Sequence, residues 1–241
     1  MDIGESPMIN IVCLKWGDKY GPEYVNRLFY AVQRHVTREH RFWCVTEDDY
    51  GIDRRIQRSP LKVDHGLETW WNKIQLFSND LLIPRGEQIF YIDLDTLVVS
   101  NIDNLLTDQV PEIIVLRDFY HGIAKTAGLM GSGLMSWRHG QYQHIWDRFI
   151  EDPTAAIMSC RPHGDQRWIE NCLDSWYYWQ DLFPNRVTSF KVHCGNGLPP
   201  DAGIVCYHGR PSIPESITYR GKIWKWDIQP QPWVVDHWRD E

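Results

Sequence analysis

The sequence predicts an α/β protein with a mostly parallel central sheet flanked by helices, and three observations carry that expectation. The first fifty residues alternate a β-prone run, an amphipathic helical run and a second β-prone run, the order of a β-α-β unit. Residues 88–99, "QIFYIDLDTLVV", contain an apolar run (Ile89, Phe90, Tyr91, Ile92) of the kind that fills a strand buried on both faces. With 241 residues, 43% of them hydrophobic, the chain can bury one large core. A single domain over 1–241 is therefore expected, with no repeat, low-complexity segment or linker to divide it.

The elements follow in order. "MINIVCL" is β-like and "KWGDKYG" is a turn-rich polar loop. "PEYVNRLFYAVQRHV" opens with proline at a first helical position and places Val25, Leu28, Phe29, Val32 and Val36 at helical spacing. "HRFWCVTED" is a second strand that ends in acids. In such sheets ligands gather at the carboxyl ends of strands, where "KWGDKYG" and "TEDD" both lie. "TWWNKIQLFSNDLL" predicts a helix leading into the strand of residues 88–92. After it come "EIIVLRDF" as a strand, "GLMGSGLMSW" as a strand rich in small residues, and "QYQHIWDRFIED" and "HGDQRWIENCL" as helices. Beyond residue 183 the chain is rich in Gly and Pro, with one strand, "GIVCYH".

Several function classes are disfavoured by composition. The formal charge of −7 gives no overall attraction to nucleic acid or to an anionic membrane, so an anionic substrate must be met locally. No apolar run approaches the roughly 20 residues of a membrane span, and "MDIGESPMIN" lacks the features of a signal peptide, which makes a cytoplasmic location the expectation. The six cysteines form no C-x-x-C pair, and Cys13, Cys44 and Cys206 lie in strand-like runs where they act as small hydrophobes. Thirteen tryptophans and eleven tyrosines stand out; flat amphipathic rings suit surfaces that bind sugars or bases, although more than half are expected to serve the core.

Asp93 and Asp95 interrupt the apolar run, and an unpaired buried carboxylate is costly, so the chain must expose them or supply a partner. A lone D-x-D carries little weight; its place at the end of a buried strand in an α/β pattern gives it more. Two carboxylates one residue apart can bind a hard divalent cation that keeps open positions for phosphate oxygens. A solvated turn is the alternative.

With those residues in view, the sequence resembles the nucleotide-sugar glycosyltransferases of the A-type fold, and within them the glycogenin-like and lipopolysaccharide galactosyltransferase-like group, from about residue 9 to 211. The resemblance implies a Rossmann-like nucleotide-binding half at about 9–120 and an acceptor-side half at 121–241. It implies that Asp93 and Asp95 bind Mn2+ (or Mg2+), with His208 of "YHGRP" as third ligand, and that the metal holds the donor diphosphate. It places Lys15, Trp16 and Tyr20 near the base and ribose, and Lys73 of "WWNKIQLF" at the family's basic donor contact. "GSGLM" resembles an Asn-Ser-Gly stretch, with Ser132 and Gly133 kept and Gly131 in place of the asparagine. "GDQRWI" supplies Asp165 and Gln166 to face the transferred sugar, and Arg210 approximates a lysine that reaches the diphosphate. The implied activity is metal-dependent transfer of a sugar, with retention, from a nucleoside-diphosphate sugar to an acceptor hydroxyl. Lys73 is expected to be an exposed cation of the cleft, assisting Asp165 and Gln166 in catalysis.

Each residue also has a structural reading. Lys15 and Lys19 are plausible solvated loop charges, Trp70 and Trp71 are expected to pack their helix on the sheet, Asp165 has the chemistry of a helix N-cap, and His208 that of a hydrogen-bonded core histidine. Two other functions remain open. A sugar-nucleotide pyrophosphorylase needs a Gly-rich basic phosphate loop, for which "KWGDKYG" is a poor substitute. A non-catalytic, aromatic-rich carbohydrate-binding protein needs no metal-coupled nucleotide site.

Overall fold

The computed structural model describes residues 8–63, 65–124 and 129–241. Strand β1 (Ile9–Lys15) leads through a loop to helix α1 (Pro22–His35) and back to β2 (His40–Thr46), which pairs parallel to β1 from Ile9↔His40 to Lys15↔Thr46. Pro22 starts α1 because its fixed φ suits the first turn, and Val25, Leu28, Phe29 and Val32 form its buried stripe. A short edge strand, β3 (Gln57–Pro60), adds parallel to β2. Next comes a 3-10 helix over Thr69–Phe77, and then β4 (Gln88–Ile92), fully buried and parallel to β1.

Beyond β4 the chain runs through β5 (Thr96–Val98), β6 (Ile114–Arg117), β7 (Met130–Arg138), α2 (Gln143–Glu151), α3 (Pro153–Ser159), α4 (Asp165–Cys172) and β8 (Tyr177–Tyr178). It continues with α5 (Trp179–Leu182), β9 (Val187–Ser189), α6 (Phe190–His193), β10 (Ile204–Cys206) and α7 (Ile213–Ser216). A hairpin, β11 (Gly221–Ile223) and β12 (Trp226–Ile228), and α8 (Val234–His237) complete it.

The main sheet has seven strands in the order β3-β2-β1-β4-β7-β6-β8. It is mixed: β7 runs antiparallel to both β4 and β6, while the pairs of β1 with β2 and β4, of β2 with β3, and of β6 with β8 are parallel. A second sheet, β5-β10-β9, forms where β10 pairs antiparallel to β5 and parallel to β9.

Two large apolar clusters use alternate residues of the same strands. One takes Ile9, Ile11, Phe90 and Ile92 with the stripe of α1; the other takes Val12, Ile89 and Tyr91 with the 3-10 helix, α2 and α4. This alternation is what burial of a sheet on both faces demands. A third cluster packs the small sheet against the C-terminal segments. All six cysteines are buried and unpaired. No helix of the described residues is long and apolar enough to cross a membrane.

The predicted helix at "TWWNKIQLFSNDLL" is shorter than expected and of 3-10 type. It stops at Phe77, and Ser78 caps it from an extended conformation.

Candidate active site

The site forms where β4 ends. Pairing with β7 extends one residue past the strand, as the Asp93 amide donates to the Gly133 carbonyl at 2.9 Å. Small residues in β7 make the room: a Cβ on Gly133 would lie 3.1 Å from Asp93 Oδ2. Asp95 lies at the start of β5, and the Tyr207 amide donates to its carbonyl at 2.8 Å. The antiparallel pairing of β5 with β10 thus carries the chain from Tyr207 to His208 onto the same cavity wall.

Lys73 ties the acidic residues together. Its ammonium lies 3.0 Å from Asp93, 3.2 Å from Ser132 Oγ and 3.6 Å from Asp165 Oδ2, and Ser132 Oγ donates to Asp165 Oδ2 at 2.6 Å. Burial opposes its charge, but Asp93 and then Asp165 outweigh burial and hold its pKa above the usual lysine range. The expectation of an exposed cleft cation is therefore corrected: Lys73 is only 7% exposed. It is the counter-ion of a buried cluster, because the 3-10 helix points it under the end of β4.

The Tyr91 hydroxyl donates to Asp93 Oδ1, and the Tyr20 hydroxyl to Asp95 Oδ2 at 3.1 Å. Burial, followed by the nearby Asp93, pushes the Asp95 carboxyl up to about 6. Burial also raises Asp165, with Lys73 and Ser132 opposing. Asp165 does not cap α4. Gly164 occupies the cap position with φ +71, and Asp165, the first helical residue, turns inward to Ser132.

Two connected cavities share Lys19, Trp70, Lys73, Asp93 and Asp95. The first, about 440 Å³, has walls of mixed polarity that include Asp165, Gln166, Gly131, Ser132, Gly133, Tyr120 and His208. The second, about 400 Å³, is mainly apolar and is lined by Leu14, Trp16, Tyr20, Tyr91 and Leu94. Trp70 is no packing residue of the sheet. It is 54% exposed and forms part of both cavities, whereas Trp71 does pack inward, stacked on Phe149.

Other predicted residues stand apart. Lys15 is buried, with Nζ 4.0 Å from Asp48, and is not among the residues lining either cavity. Arg210 is also not a lining residue; its side chain is 85% exposed and faces Glu215 at 3.8 Å. Both ring nitrogens of His208 are engaged, Nε2 with Ser189 Oγ at 2.7 Å and Nδ1 with the Tyr120 hydroxyl at 2.9 Å. Burial, then Lys191 and His193, depress its pKa to about 3, so the ring is neutral.

A divalent cation fits part of this donor set. Asp93 and Asp95 offer oxygens to one cavity, and burial followed by the neighbouring Asp93 raises the Asp95 carboxyl. His208 is neutral, as a ligand must be, yet it has to release Ser189 or Tyr120 before it can ligate. Among the described residues, no three His, Cys, Asp or Glu side chains are grouped to hold a metal.

Sequence reasoning placed Tyr20 at the site but missed Lys191, Tyr91 and Tyr120. Lys191 is buried in α6 and donates to the His208 carbonyl; burial lowers its pKa. Nothing in "SFKVHCG" signals this, since its acceptor enters from β10. Tyr91 was legible only as an apolar strand residue, although its hydroxyl reaches Asp93.

The seven-stranded mixed sheet, mostly parallel and flanked by helices, matches the A-type glycosyltransferase fold. Solved structures bear this out. The galactosyltransferase LgtC, in complex with donor and acceptor sugar analogues, superposes with a TM-score of 0.59 over 85% of this chain and 88% of its own, at 12% identity. The glycosyltransferase GlyE of Streptococcus pneumoniae TIGR4 gives a TM-score of 0.63 at 12% identity, over 86% of this chain and 56% of GlyE. No protein-family model and no curated protein sequence matches the chain.

Proposed function

We propose that the protein is a glycosyltransferase that moves a sugar from a nucleoside-diphosphate sugar to an acceptor hydroxyl, with retention. The observation that carries this reading is the junction of two cavities of unlike character at Asp93 and Asp95. An apolar cavity with Trp16 and Tyr20 suits a flat base and ribose, and the mixed cavity with Asp165 and Gln166 suits a hydroxylated sugar. A diphosphate joining the two would lie against the aspartate pair, whose carboxylates repel it.

Asp93 and Asp95 would hold a divalent cation there, which supplies positive charge to the diphosphate as it leaves. The C1–O bond breaks with its electron pair passing to the diphosphate, the acceptor oxygen bonds to C1, and the acceptor's proton passes to a departing phosphate oxygen. Lys73 holds Asp93 and Asp165 in place, and Asp165 and Gln166 orient the sugar and face the positive charge that develops on it. The likeness of fold to LgtC, solved with donor and acceptor sugar analogues, supports a site that takes a donor and an acceptor sugar.

Calorimetry with nucleoside diphosphates, with and without manganese, tests the reading, followed by a hydrolysis screen over nucleotide sugars. Manganese-dependent nucleotide binding that Asp93→Asn abolishes is expected. Saccharide binding with no nucleotide binding at all would replace the transferase with a non-catalytic carbohydrate-binding protein.

A further inference from the structure

Three aromatic rings continue the wall of the mixed cavity out to the surface. Tyr120, a cavity residue, stacks on Trp226 with centroids 5.0 Å apart and planes at 25°. Trp224 meets Trp226 at 4.9 Å and Tyr120 at 5.9 Å, both edge to face. Lys225 Nζ lies 4.9 Å and 5.7 Å from the two indole centroids, which ties the tip together by cation–π attraction. At the inner end Tyr120 is fixed by its bond to His208, whose ring stacks on Phe119.

Trp224 is costly where it stands. Ile223 pairs with Trp226, so Trp224 and Lys225 form a two-residue hairpin loop, and Trp224 takes φ +50. That position favours glycine or asparagine. A bulky ring there is strained, and this one is 56% exposed, so neither backbone preference nor burial accounts for it. An exposed indole held rigidly beside a sugar-sized cavity has the form of a stacking surface for the apolar face of a pyranose.

We propose that Tyr120, Trp226 and Trp224 form a saccharide platform that receives the acceptor glycan and leads it to the mixed cavity. This rests on the transferase reading for the word acceptor, since Trp16 and Tyr20 already provide the apolar cavity for the nucleoside and Asp165 with Gln166 face the transferred sugar. The occupant is a saccharide ring rather than the donor's base, because Tyr120 lines the mixed cavity while Trp16 and Tyr20 line the apolar one.

The test is titration of the intact protein with a panel of neutral and N-acetylated di- and trisaccharides at millimolar concentration, with a nucleoside diphosphate plus manganese titrated in parallel. Trp224→Gly relieves the strained turn, so its thermal midpoint should equal or exceed that of the wild type while saccharide affinity falls about ten-fold or more. Trp226→Leu should weaken the same saccharide. Equal saccharide affinities in wild type and both variants overturn the platform, as does a wild type that binds no member of the panel. Loss of nucleotide affinity alongside saccharide affinity in Trp224→Gly also overturns it, assigning the rings to the donor. Nucleotide binding without saccharide binding sinks the platform alone. Saccharide binding at Trp224 without nucleotide binding sinks the transferase reading and leaves the platform as a saccharide site.

Discussion

Asp95 is ionised at neutral pH against its surroundings, and substitution should reveal the cost. Its folded pKa of about 6 lies above that of an unfolded aspartate, about 3.9, so the folded state binds the extra proton. The stability contributed by the protonated form is full below about pH 4 and lost as pH rises through 6. Asp95→Asn should therefore stabilise the metal-free protein by on the order of 2 kcal/mol at about pH 7.5, with the advantage shrinking to nothing near pH 4. His208 has the opposite sign, because its depressed pKa makes the unfolded chain the better proton acceptor as pH falls below about 6.5. Comparing variant with wild type at each pH cancels that contribution. A thermal midpoint for Asp95→Asn that stays below wild type at every pH would refute the argument. Lys73 sets the counter-example. Lys73→Met leaves the buried Asp165 and the half-buried Asp93 without their cation, which should cost about 3–5 kcal/mol in urea unfolding. Adding Asp165→Asn should recover part of the loss, and additive effects of the two changes would mean that Lys73 and Asp165 are not coupled.

At the scale of elements, the cap of α4 lies tightly against Trp70 of the 3-10 helix. A Cβ on Gly164 would fall 2.4 Å from Trp70 Nε1, and Gly164 itself has φ +71. Thr69, just before Trp70, is also held at φ 54, rare for a β-branched residue. Gly164→Ala should therefore displace Trp70, move Asp165, and destabilise by about 1–3 kcal/mol. An unchanged thermal midpoint together with an unchanged acrylamide-quenching profile would show that the contact has slack. These elements also mark what the sequence discloses. β1, α1, β2, β4, β7, α2 and α4 were legible because hydrophobic period follows secondary structure. The antiparallel run of β7 was not, since local pattern does not encode strand direction. β3, "QRSP", has no apolar run, and β11–β12 turns on Trp-Lys rather than on a residue suited to positive φ. Asp93 and Asp95 were conspicuous as charges within an apolar run. The bonds from Tyr20 to Asp95 and from Tyr120 to His208 join residues 75 and 88 positions apart, beyond any local signal.

At the scale of the whole molecule, the second sheet joins distant parts of the chain. Thr96 of β5 pairs with Cys206 of β10, whereas β1 and β2 pair across a single helix. Closing the longer loop costs more chain entropy, and contacts of that range form late. The main sheet needs nothing beyond β8 to complete its order, yet the His208 side of the cavity exists only once β10 has docked on β5. Newly refolding chains should accordingly recover far-ultraviolet ellipticity and burial of Trp137 before they can bind a nucleoside diphosphate. Rapid dilution from urea, with circular dichroism and ligand capture followed side by side, measures the interval; simultaneous recovery would mean that sheet and cavity mature together. On a ribosome the same order holds in space. A nascent chain that has emerged as far as β8 carries both aspartates in a largely formed sheet while β10 is still unmade, so the segment that follows β8 decides when the candidate cleft first closes.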